Sequence, residues 1–393
     1  MRFCHITAYY EEFLRRMYRA RPGLRSAGYA EQHAAVVAER NAWSDFLVRN
    51  LAAMGHETSL VIANYAGAQR QWAREHGVRL GSNWRTDAVL AQLVDFRPDV
   101  VFFEDTLSFP ASFVREIRTR VSSVRAVVAY LGIVRTDVDL LREADLVVTC
   151  AEEITEQVQR EGHRAVTILH AFEPSVLREL TPRAHPIDVS FAGSVIPGVH
   201  ANRHELLCAL VAAGVNLELY CGSLRTDNPL SLLRYVGRAV RSSPGALTWL
   251  WGPLRKHIRT EVFGKAMLEV VFNSRISLNN HGDAVTFAAN MRLFEITGCG
   301  SCLVTDWKPN LAQLFEPGSE VMTYRSQAEC IEVVKWLLEN EEERERIARA
   351  GQQRTLRDHT FRARSVELAD HIGALLGRRD AVAVGGAGKA AGL

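Results

Sequence analysis

The sequence predicts an α/β protein made of two doubly wound halves that face each other across a cleft. Short, continuously apolar segments such as DVVFF at 99–103 are typical of strands buried in a parallel sheet, and helical segments separate them. The alternation stops at 181–186, which has two prolines and no periodicity, and then begins again. Because ligands of parallel α/β sheets bind at the carboxyl ends of the strands, we expect the functional site there.

The composition of the 393 residues is that of a globular protein with two or at most three domains. Hydrophobic residues make up 47% of the chain and charged residues 23%. The 47 basic and 45 acidic residues nearly cancel, which argues against a dedicated nucleic-acid binder. The chain opens directly on a strand, lacks an apolar run of membrane-spanning length and has seven cysteines, so we expect a cytoplasmic protein with reduced thiols.

The first predicted domain spans 1–181. Its predicted strands lie at 2–8, 56–63, 99–103, 126–131, 145–150 and 165–169. Predicted helices lie at 30–54, 66–76 and 85–96. The polar, arginine-rich stretch 11–29 is expected to be a loop with one short helix.

The second predicted domain spans 186–359. Its predicted strands lie at 188–193, 216–221, 276–279, 302–305 and 321–324, and its predicted helices at 204–213, 327–340 and 342–357. A final helix over 360–377 has an apolar face that must be buried, and we expect it to cross back to the first domain. The Gly- and Ala-rich tail, 378–393, is predicted to be disordered.

The stretch 289–307 is predicted to form a helix, a glycine turn and a strand. Arg292 and Glu295 lie three residues apart on one flank of that helix, and Gly298 and Gly300 end it. A cation beside a carboxylate suits a sugar nucleotide, with Arg292 facing the diphosphate and Glu295 accepting ribose hydroxyls. The alternative is an ordinary surface ion pair on an amphipathic helix.

Two short motifs that could hold a metal have simpler explanations. Cys299 and Cys302 form a C-x-x-C without the two further ligands that zinc needs, so we interpret them as structural. Asp137 and Asp139 form a D-x-D, but Thr136 and Asp137 precede an apolar run and are interpreted as a helix cap. We therefore predict no metal site.

Nucleotide-binding motifs of two other classes are absent from the sequence. No G-x-G-x-x-G follows either first strand, where Tyr9-Tyr10 and Gly193-Ser194 stand instead, and this argues against a dehydrogenase. No Walker motif occurs either.

Several segments of the second half resemble one family, in the order in which that family has them. The segments are FAGS at 191–194 with Arg203, then 263–281, 290–306, 314–324 and 351–364. They resemble the donor-binding domain of CgeB-like (spore-maturation-type) glycosyltransferases, which have the GT-B fold of two Rossmann-like domains. The resemblance covers about half of the chain and implies metal-independent transfer of a sugar from a nucleotide-sugar donor, UDP-linked or another, with no cofactor.

The resemblance also implies roles for individual residues in donor binding. Glu295 matches the ribose-binding glutamate, Arg292 and Arg203 match cations near the phosphates, and the strand end at 279–281 faces the sugar. The full predicted donor set is Gly193, Ser194, Arg203, Lys265, Asn279, Asn280, Asn290, Arg292 and Glu295. The wider superfamily carries a second glutamate eight residues before the ribose glutamate, but here that position is Phe287, which leaves the sugar and the stereochemical outcome open.

Candidates for the catalytic and acceptor groups come from strand ends of both halves. The predicted catalytic candidates are Glu104, Asp105, His170 and His281, and the predicted acceptor-side residues are Tyr9, Tyr10 and Asp137. A strand-end carboxylate can also simply cap the next helix. The expected acceptor is a glycan, a lipid-linked molecule or a protein.

The basic insertion at 222–260 has two interpretations. From 228 to 260 it has tryptophans and leucines and no acidic residue, which suits peripheral contact with the inner face of an anionic membrane. It could equally pack its tryptophans into the domain. For the whole chain, the alternatives to a glycosyltransferase are a nucleotide-sugar epimerase or hydrolase of the same fold, and a catalytically weak sugar-nucleotide-binding protein.

Overall fold

The computed structural model describes residues 1–390 except 134, 136, 185, 197–199, 223–251 and 284, with the backbone alone described over 378–390. The chain forms two compact units. The first consists of Met1–Leu169 together with the C-terminal segment that begins at Phe361, and the second consists of His170–Thr360.

The first unit contains a parallel sheet of six described strands, in the order β2-β1-β3-β4-β5-β6. The strands are β1 (Arg2–Thr7), β2 (Glu57–Ile62), β3 (Val100–Phe103), β4 (Ala126–Leu131), β5 (Leu146–Thr149) and β6 (Ala165–Thr167). The four residues of β3 and all six of β4 are buried, as expected for strands with helices on both faces.

The helices of the first unit connect these strands. They are α1 (Glu11–Ala20), α2 (Tyr29–Val37), α3 (Phe46–Ala53), α4 (Ala66–Glu75), α5 (Trp84–Phe96), α6 (Ala111–Arg120) and α7 (Glu152–Arg160), with 3-10 turns at Pro22–Ser26 and Asp139–Glu143. The stretch 11–29, expected to be mainly loop, contains α1 because Phe13, Leu14 and Met17 bury one face of it.

The predicted single helix over 30–54 is wrong, because the structure has two helices with an irregular segment between them. Arg40, Ala42 and Ser44 in that segment have left-handed backbone angles, with φ of 55°, 52° and 45°, which an α-helix does not allow. The break turns the side chain of Trp43 into the core, where it is 8% exposed. Periodicity alone does not reveal such a break, since the apolar spacing continues through it.

The final helix, α14 (Phe361–Ala390), belongs to the first unit, which confirms the predicted return to the first domain. It packs against α3, and the Phe361 ring lies 5.1 Å from that of Phe46 and 6.1 Å from that of Trp43. Leu368 and Ile372 are buried. The backbone remains helical to Ala390, where the sequence predicted a disordered tail.

The second unit also contains a parallel sheet of six described strands, in the order β12-β11-β10-β7-β8-β9. The strands are β7 (Ile187–Ala192), β8 (Leu217–Tyr220), β9 (Ile258–Arg259), β10 (Ser274–Asn279), β11 (Cys302–Asp306) and β12 (Met322–Tyr324). Its described helices are α8 (Ala201–Ala212), α9 (Gly264–Phe272), α10 (Met291–Gly298), α11 (Leu311–Leu314), α12 (Gln327–Glu339) and α13 (Glu341–Asp358), with 3-10 turns at Pro174–Glu179 and Pro253–His257.

The second unit begins at His170, before the linker that the sequence predicted at 181–186. The backbone N–H of Phe172 donates to the carbonyl of His359, and its ring lies against Gly298, where a Cβ would come within 2.3 Å of it. These contacts hold the residues after 169 to the second unit, although no apolar period marks them in the sequence.

Most of the predicted insertion at 222–260 lies outside the described residues. Its described end contains the 3-10 turn Pro253–His257 and strand β9, which pairs with β8. The expectation of membrane contact through 228–260 therefore stays a prediction.

Replacement of Ile372 by alanine should lower the free energy of unfolding of the first unit by about 2–5 kcal/mol, because its side chain, on the inner face of α14, is fully buried. Val366→Ala on the same helix is the matched control, since Val366 is 42% exposed and should change stability by less than about 1 kcal/mol. Urea unfolding followed by fluorescence measures both. Equal effects of the two variants would contradict the assigned buried face.

Candidate functional site

The second sheet has a natural ligand crevice between β7 and β10. From β7 the chain moves outward to β8 and β9, and it then returns to the other side of β7 to form β10. In such sheets the loops at the carboxyl ends of the two strands diverge at this point and leave a crevice. Residues predicted for donor binding follow both strands.

Arg203, on α8, spans this crevice. Its Nη1 donates to the carbonyl of Ser194 at 2.6 Å, and its Nη2 donates to the carbonyl of Asn280 at 2.5 Å. The guanidinium also lies over the Phe191 ring, 5.6 Å from its centre. Burial lowers the pKa of Arg203, whose residue is only 9% exposed. This cation therefore fastens the ends of β7 and β10 together.

Gly193 directly follows β7 at the same edge. A Cβ on Gly193 would come within 3.1 Å of the Phe191 ring that lies below Arg203, so the close approach of backbone and ring favours glycine. The next residue, Ser194, is exposed. The predicted glycine turn thus has a packing reason of its own.

Asn279, at the end of β10, belongs to a chain of side-chain amides. Its Nδ2 donates to Thr305 Oγ1 at 2.9 Å, and its Oδ1 accepts from Asn290 Nδ2 at 2.8 Å. Next to it, Asn280 Nδ2 donates to the Tyr324 hydroxyl at 3.1 Å. Asn290 Oδ1 is buried without a hydrogen-bond partner in the described structure.

His281 and Asp306 form a buried pair across the ends of β10 and β11. Asp306 Oδ1 accepts from His281 Nδ1 at 2.8 Å and from the His281 backbone N–H at 2.9 Å. Lys308 Nζ lies 3.2 Å from Asp306 Oδ2. Burial raises the pKa of Asp306, but the His281 hydrogen bonds and the nearby charges outweigh it and hold that pKa at about 2. His281 Nε2 is buried and has no partner among the described residues.

Phe287, which stands where the wider superfamily has a glutamate, is 5% exposed and packs into the unit. Hydrogen bonds fix the backbone on both sides of it. Lys308 Nζ donates to the carbonyl of Val285 at 2.5 Å, and Asn310 exchanges two hydrogen bonds with the backbone of Ala288.

Arg292 and Glu295 lie in the first two turns of α10, as the sequence predicted. Arg292 Nη1 donates to Glu295 Oε2 at 2.6 Å and also contacts Met267 Sδ of α9. The two side chains are 26% and 12% exposed, so this pair is more buried than an ordinary surface ion pair. Lys265 is the second residue of α9 and is half-buried.

Three helices of this unit begin at the carboxyl edge of its sheet. Helix α8 follows β7, whereas α9 and α10 lead back to the amino ends of β10 and β11. Helix N-termini carry partial positive charge and unpaired N–H groups. Together with Lys265 and Arg292 they make this edge favourable for a phosphate group.

The first sheet has the corresponding crevice between β1 and β3, since β2 lies on one side of β1 and β3 on the other. Glu104 directly follows β3, and its Oε2 lies 2.9 Å from Nε2 of His5 on β1. Asp105 Oδ1 accepts from the Ser108 backbone N–H at 3.2 Å and so fixes a turn. Tyr9 is buried, whereas Tyr10 is 71% exposed.

The remaining predicted residues lie apart from these contacts. Asp137 is exposed and pairs with Arg135, whose hydrogen bond lowers the pKa of Asp137. Asp139 accepts from the backbone N–H of Ala111 at the start of α6 and also lies 3.4 Å from Arg142 of its own turn. His170 is half-buried at the first position of the second unit.

No group of three metal-ligating side chains occurs among the residues that the structure describes. Cys299 and Cys302 are buried and unpaired with each other, and burial raises the pKa of Cys302 to about 12. Such a thiol is neither a nucleophile nor a metal ligand at neutral pH.

Sequence reasoning missed several residues that the structure brings to these edges, namely His5, Trp43, Thr305, Asp306, Lys308 and Tyr324. Asp306 had a usable signal, since it is a carboxylate at the end of a buried strand. His5 lies within a strand, where nothing local marks it.

Comparison with known proteins assigns a class to this architecture. Residues 225–370 match a family model described as glycosyl transferase-like. The chain carries a glycosyltransferase domain. The predicted glycosyltransferase class is thereby confirmed, whereas the CgeB-like assignment within it is not. No curated protein matches the sequence.

Solved glycosyltransferase structures share the fold of the whole chain. HepE of Anabaena in complex with UDP-glucose superimposes with a TM-score of 0.59 at 11% identity, covering 95% of this chain and 100% of HepE. Sucrose-phosphate synthase of Thermosynechococcus elongatus gives 0.56 at 10% identity, covering 96% and 100%. An α-glucosyltransferase in complex with UDP-glucose and DNA gives 0.58 at 12% identity, covering 95% and 99%. The predicted GT-B fold of this glycosyltransferase is therefore confirmed.

In the parts of the chain that the structure describes, no helix is both long enough and apolar enough to cross a bilayer.

Replacement of Asp306 by asparagine should destabilise the second unit by about 2 kcal/mol at pH 7, the free energy equivalent of lowering its pKa from 3.8 to about 2. Since the folded pKa is the lower one, this contribution is complete above about pH 5 and is lost as the pH falls towards 2. The difference in free energy of unfolding between wild type and variant, measured by urea unfolding, should therefore become smaller in acid.

Asp188→Asn is the control for that experiment. Asp188 is likewise a carboxylate in an ion pair, with Arg275, but the two side chains are 30% and 42% exposed. Loss of the Asp188 charge should therefore lower the free energy of unfolding by less than about 1 kcal/mol at any pH. If the difference in free energy of unfolding between wild type and Asp306→Asn stays constant from pH 7 to pH 4 and below, Asp306 is not held ionised by this pair.

Proposed function

We propose that this protein transfers a sugar from a nucleotide-sugar donor to an acceptor hydroxyl in glycan or glycoconjugate biosynthesis, without a metal ion. The observation that carries the proposal is the grouping of predicted donor residues at the carboxyl edge of the second sheet. Arg203, Asn280 and Ser194 meet across its crevice, and His281 lies beside them. The glycosyl transferase-like match over 225–370 supports the same reading.

In this proposal the diphosphate lies over the crevice between β7 and β10. Glycosyl transfer expels a nucleoside diphosphate, whose charge must be stabilised by a metal ion or by cationic side chains and helix N-termini. Here the charge is balanced without a metal ion, by the N-termini of α8, α9 and α10 together with the side chains of Lys265 and Arg292. Gly193 leaves room for the close approach of the phosphates.

The ribose and the transferred sugar have separate contacts in the proposed site. Glu295 is held by Arg292 at 2.6 Å and has a second carboxylate oxygen for ribose hydroxyls. Asn290 Oδ1 and His281 Nε2 are buried polar atoms without partners in the described chain, and sugar hydroxyls would satisfy them. Asn279 orients Asn290 through a hydrogen bond of 2.8 Å.

We further propose a UDP-sugar as the donor, because solved structures of the same fold are complexes with UDP-glucose. The finer assignment to CgeB-like glycosyltransferases rests on the ordered segments from FAGS at 191–194 to 351–364. The acceptor, a glycan, a lipid-linked molecule or a protein, is assigned to the edge of the first sheet near Tyr9, Tyr10 and Glu104. We also propose that the protein acts at the inner face of the membrane, which it contacts through 228–260.

The overall proposal is tested by a thermal-shift screen of nucleoside diphosphates and nucleotide sugars, followed by donor turnover with and without an acceptor extract. Binding together with acceptor-dependent turnover is expected. Turnover that needs no acceptor would indicate a hydrolase or epimerase, and binding without any turnover would indicate a sugar-nucleotide-binding protein.

Arg292→Ala and Glu295→Ala should each weaken UDP binding about tenfold or more, because each removes a hydrogen bond to a charged or hydroxyl-rich part of the ligand. Arg346→Ala and Glu343→Ala are matched controls, since this pair has the same spacing on α13 but is about half exposed. Titration calorimetry with UDP measures all four variants. If the α10 variants bind UDP as tightly as the α13 variants do, the donor assignment is wrong.

Donor turnover should persist in excess EDTA, because cationic groups rather than Mg²⁺ are proposed to balance the diphosphate charge. The measurement is release of nucleoside diphosphate before and after chelation. Complete loss that Mg²⁺ or Mn²⁺ restores would contradict metal independence.

A further inference from the structure

A cavity of about 390 Å³ lies at the amino edge of the second sheet, opposite the edge that carries the proposed donor residues. It is found where three neighbouring strands begin. Pro186 directly precedes β7, Ser274 is the first residue of β10, and Gly300 stands two residues before β11. Arg344 and Ala348 of α13 line its other side. All the lining residues belong to the second unit, so one compact unit contains the whole cavity.

The polar side chains where β10 begins already have hydrogen-bond partners. Ser274 Oγ donates to the carbonyl of Val270 at 2.7 Å. Asn273 Nδ2 donates to the carbonyls of Thr181 and Glu269, at 3.0 and 2.7 Å. These groups are satisfied without a ligand, so they do not by themselves call for one.

Arg344, in contrast, has hydrogen-bond donors to spare. Its side chain is only 5% exposed. Nη1 donates to the carbonyl of Leu337 at 2.9 Å, and Nη2 donates to Glu341 Oε1 at 2.7 Å. Because a guanidinium has five N–H donors, these two bonds leave three without an acceptor among the described residues. Buried donors without acceptors are costly, and an acceptor in the cavity would remove that cost.

The charges that line the cavity favour an anion, although both signs are present. Glu341 and Glu345 are 66% and 54% exposed, and Arg275 is 42% exposed, so water and salt screen all three. Arg344 is the buried charge, and burial strengthens its field. The effect reaches Cys302 at the start of β11, where burial raises the pKa of the thiol and the positive charge of Arg344 opposes that rise.

The size and the remaining wall of the cavity describe the rest of the ligand. Pro182, Pro186, Phe272 and Ala348 supply apolar surface beside the cation. A volume of about 390 Å³ is near the lower end of the range for small-molecule sites, yet it is more than ten times the volume of a water molecule. The cavity therefore has room for an oxyanion that carries a small organic body.

We propose that this cavity binds a small organic oxyanion through a carboxylate or phosphate group, and that Arg344 is the residue that pairs with it. The planar guanidinium donors match the oxygens of both groups. This site is independent of the proposed sugar transfer, because the proposed donor residues lie at the opposite edge of the sheet.

The test is calorimetric titration of the full chain with sodium malonate and, separately, with inorganic phosphate. Sodium chloride keeps the ionic strength constant, since salt screens charge interactions. Wild type should bind at least one of the two anions saturably, and the tighter one identifies the group as carboxylate or phosphate. Arg344→Gln should weaken that binding about tenfold or more, because it removes charge-assisted hydrogen bonds. Ala348→Phe, which places a ring in the cavity, should also weaken it about tenfold or more.

Two further variants are controls. Arg346 lies two residues after Arg344 on α13, is 51% exposed, and pairs with Glu343 at 2.8 Å outside the cavity. Arg346→Gln should therefore bind the anion as wild type does. Arg292→Ala removes a cation at the opposite edge of the sheet and should also keep the wild-type affinity.

The outcomes separate this site from general attraction of anions and from the proposed donor site. The proposal is overturned if neither anion binds wild type saturably, or if Arg344→Gln keeps the wild-type affinity. Equal losses in Arg344→Gln and Arg346→Gln, or a loss confined to Arg292→Ala, also overturn it. Thermal unfolding shows whether each variant folds. If Arg344→Gln does not fold, Ala348→Phe decides, and wild-type affinity in that variant overturns the proposal.

Discussion

The rest of this structure depends on side chains that connect two strand ends at the point where the strand order reverses. A parallel sheet leaves a crevice there, and the polar backbone at its rim needs partners. In the second unit, Arg203 supplies them to the carbonyls of Ser194 and Asn280. Burial of a guanidinium is unfavourable by itself, so its hydrogen bonds to both strand ends must offset that cost. The same arginine thereby fixes the spacing of the loops at the proposed donor site.

The other charged side chains at this edge of the second sheet are paired with neighbouring side chains. Asp306 stays ionised because His281 and Lys308 surround it, and Glu295 faces Arg292. Groups held in this way need little rearrangement when a charged ligand arrives, which is the usual condition for electrostatic stabilisation of a leaving group. In the first unit, the side chains of His5 and Glu104 meet at 2.9 Å across the ends of β1 and β3.

Local pattern was sufficient to predict most of the fold and one part of the site. Buried strands such as Val100–Phe103 are continuously apolar because helices cover both faces of the sheet, and the sequence displays this directly. Arg292 and Glu295 are three residues apart, so their contact follows from helix geometry. The two helices within 30–54 could not be predicted, since left-handed backbone at Arg40, Ala42 and Ser44 leaves no trace in apolar spacing.

The sequence by itself determined the class of the protein, two parallel α/β units with polar residues after their strands, because apolar period and strand-end position are local properties. Only the tertiary structure decided which polar residues meet. His5 and Glu104 are 99 positions apart, and Arg203 and Asn280 are 77 apart. Each contact depends on strand order, which is set by how the crossovers pack and by long-range burial. A residue inside a strand, as His5 is, becomes a candidate only when the neighbouring strand is known.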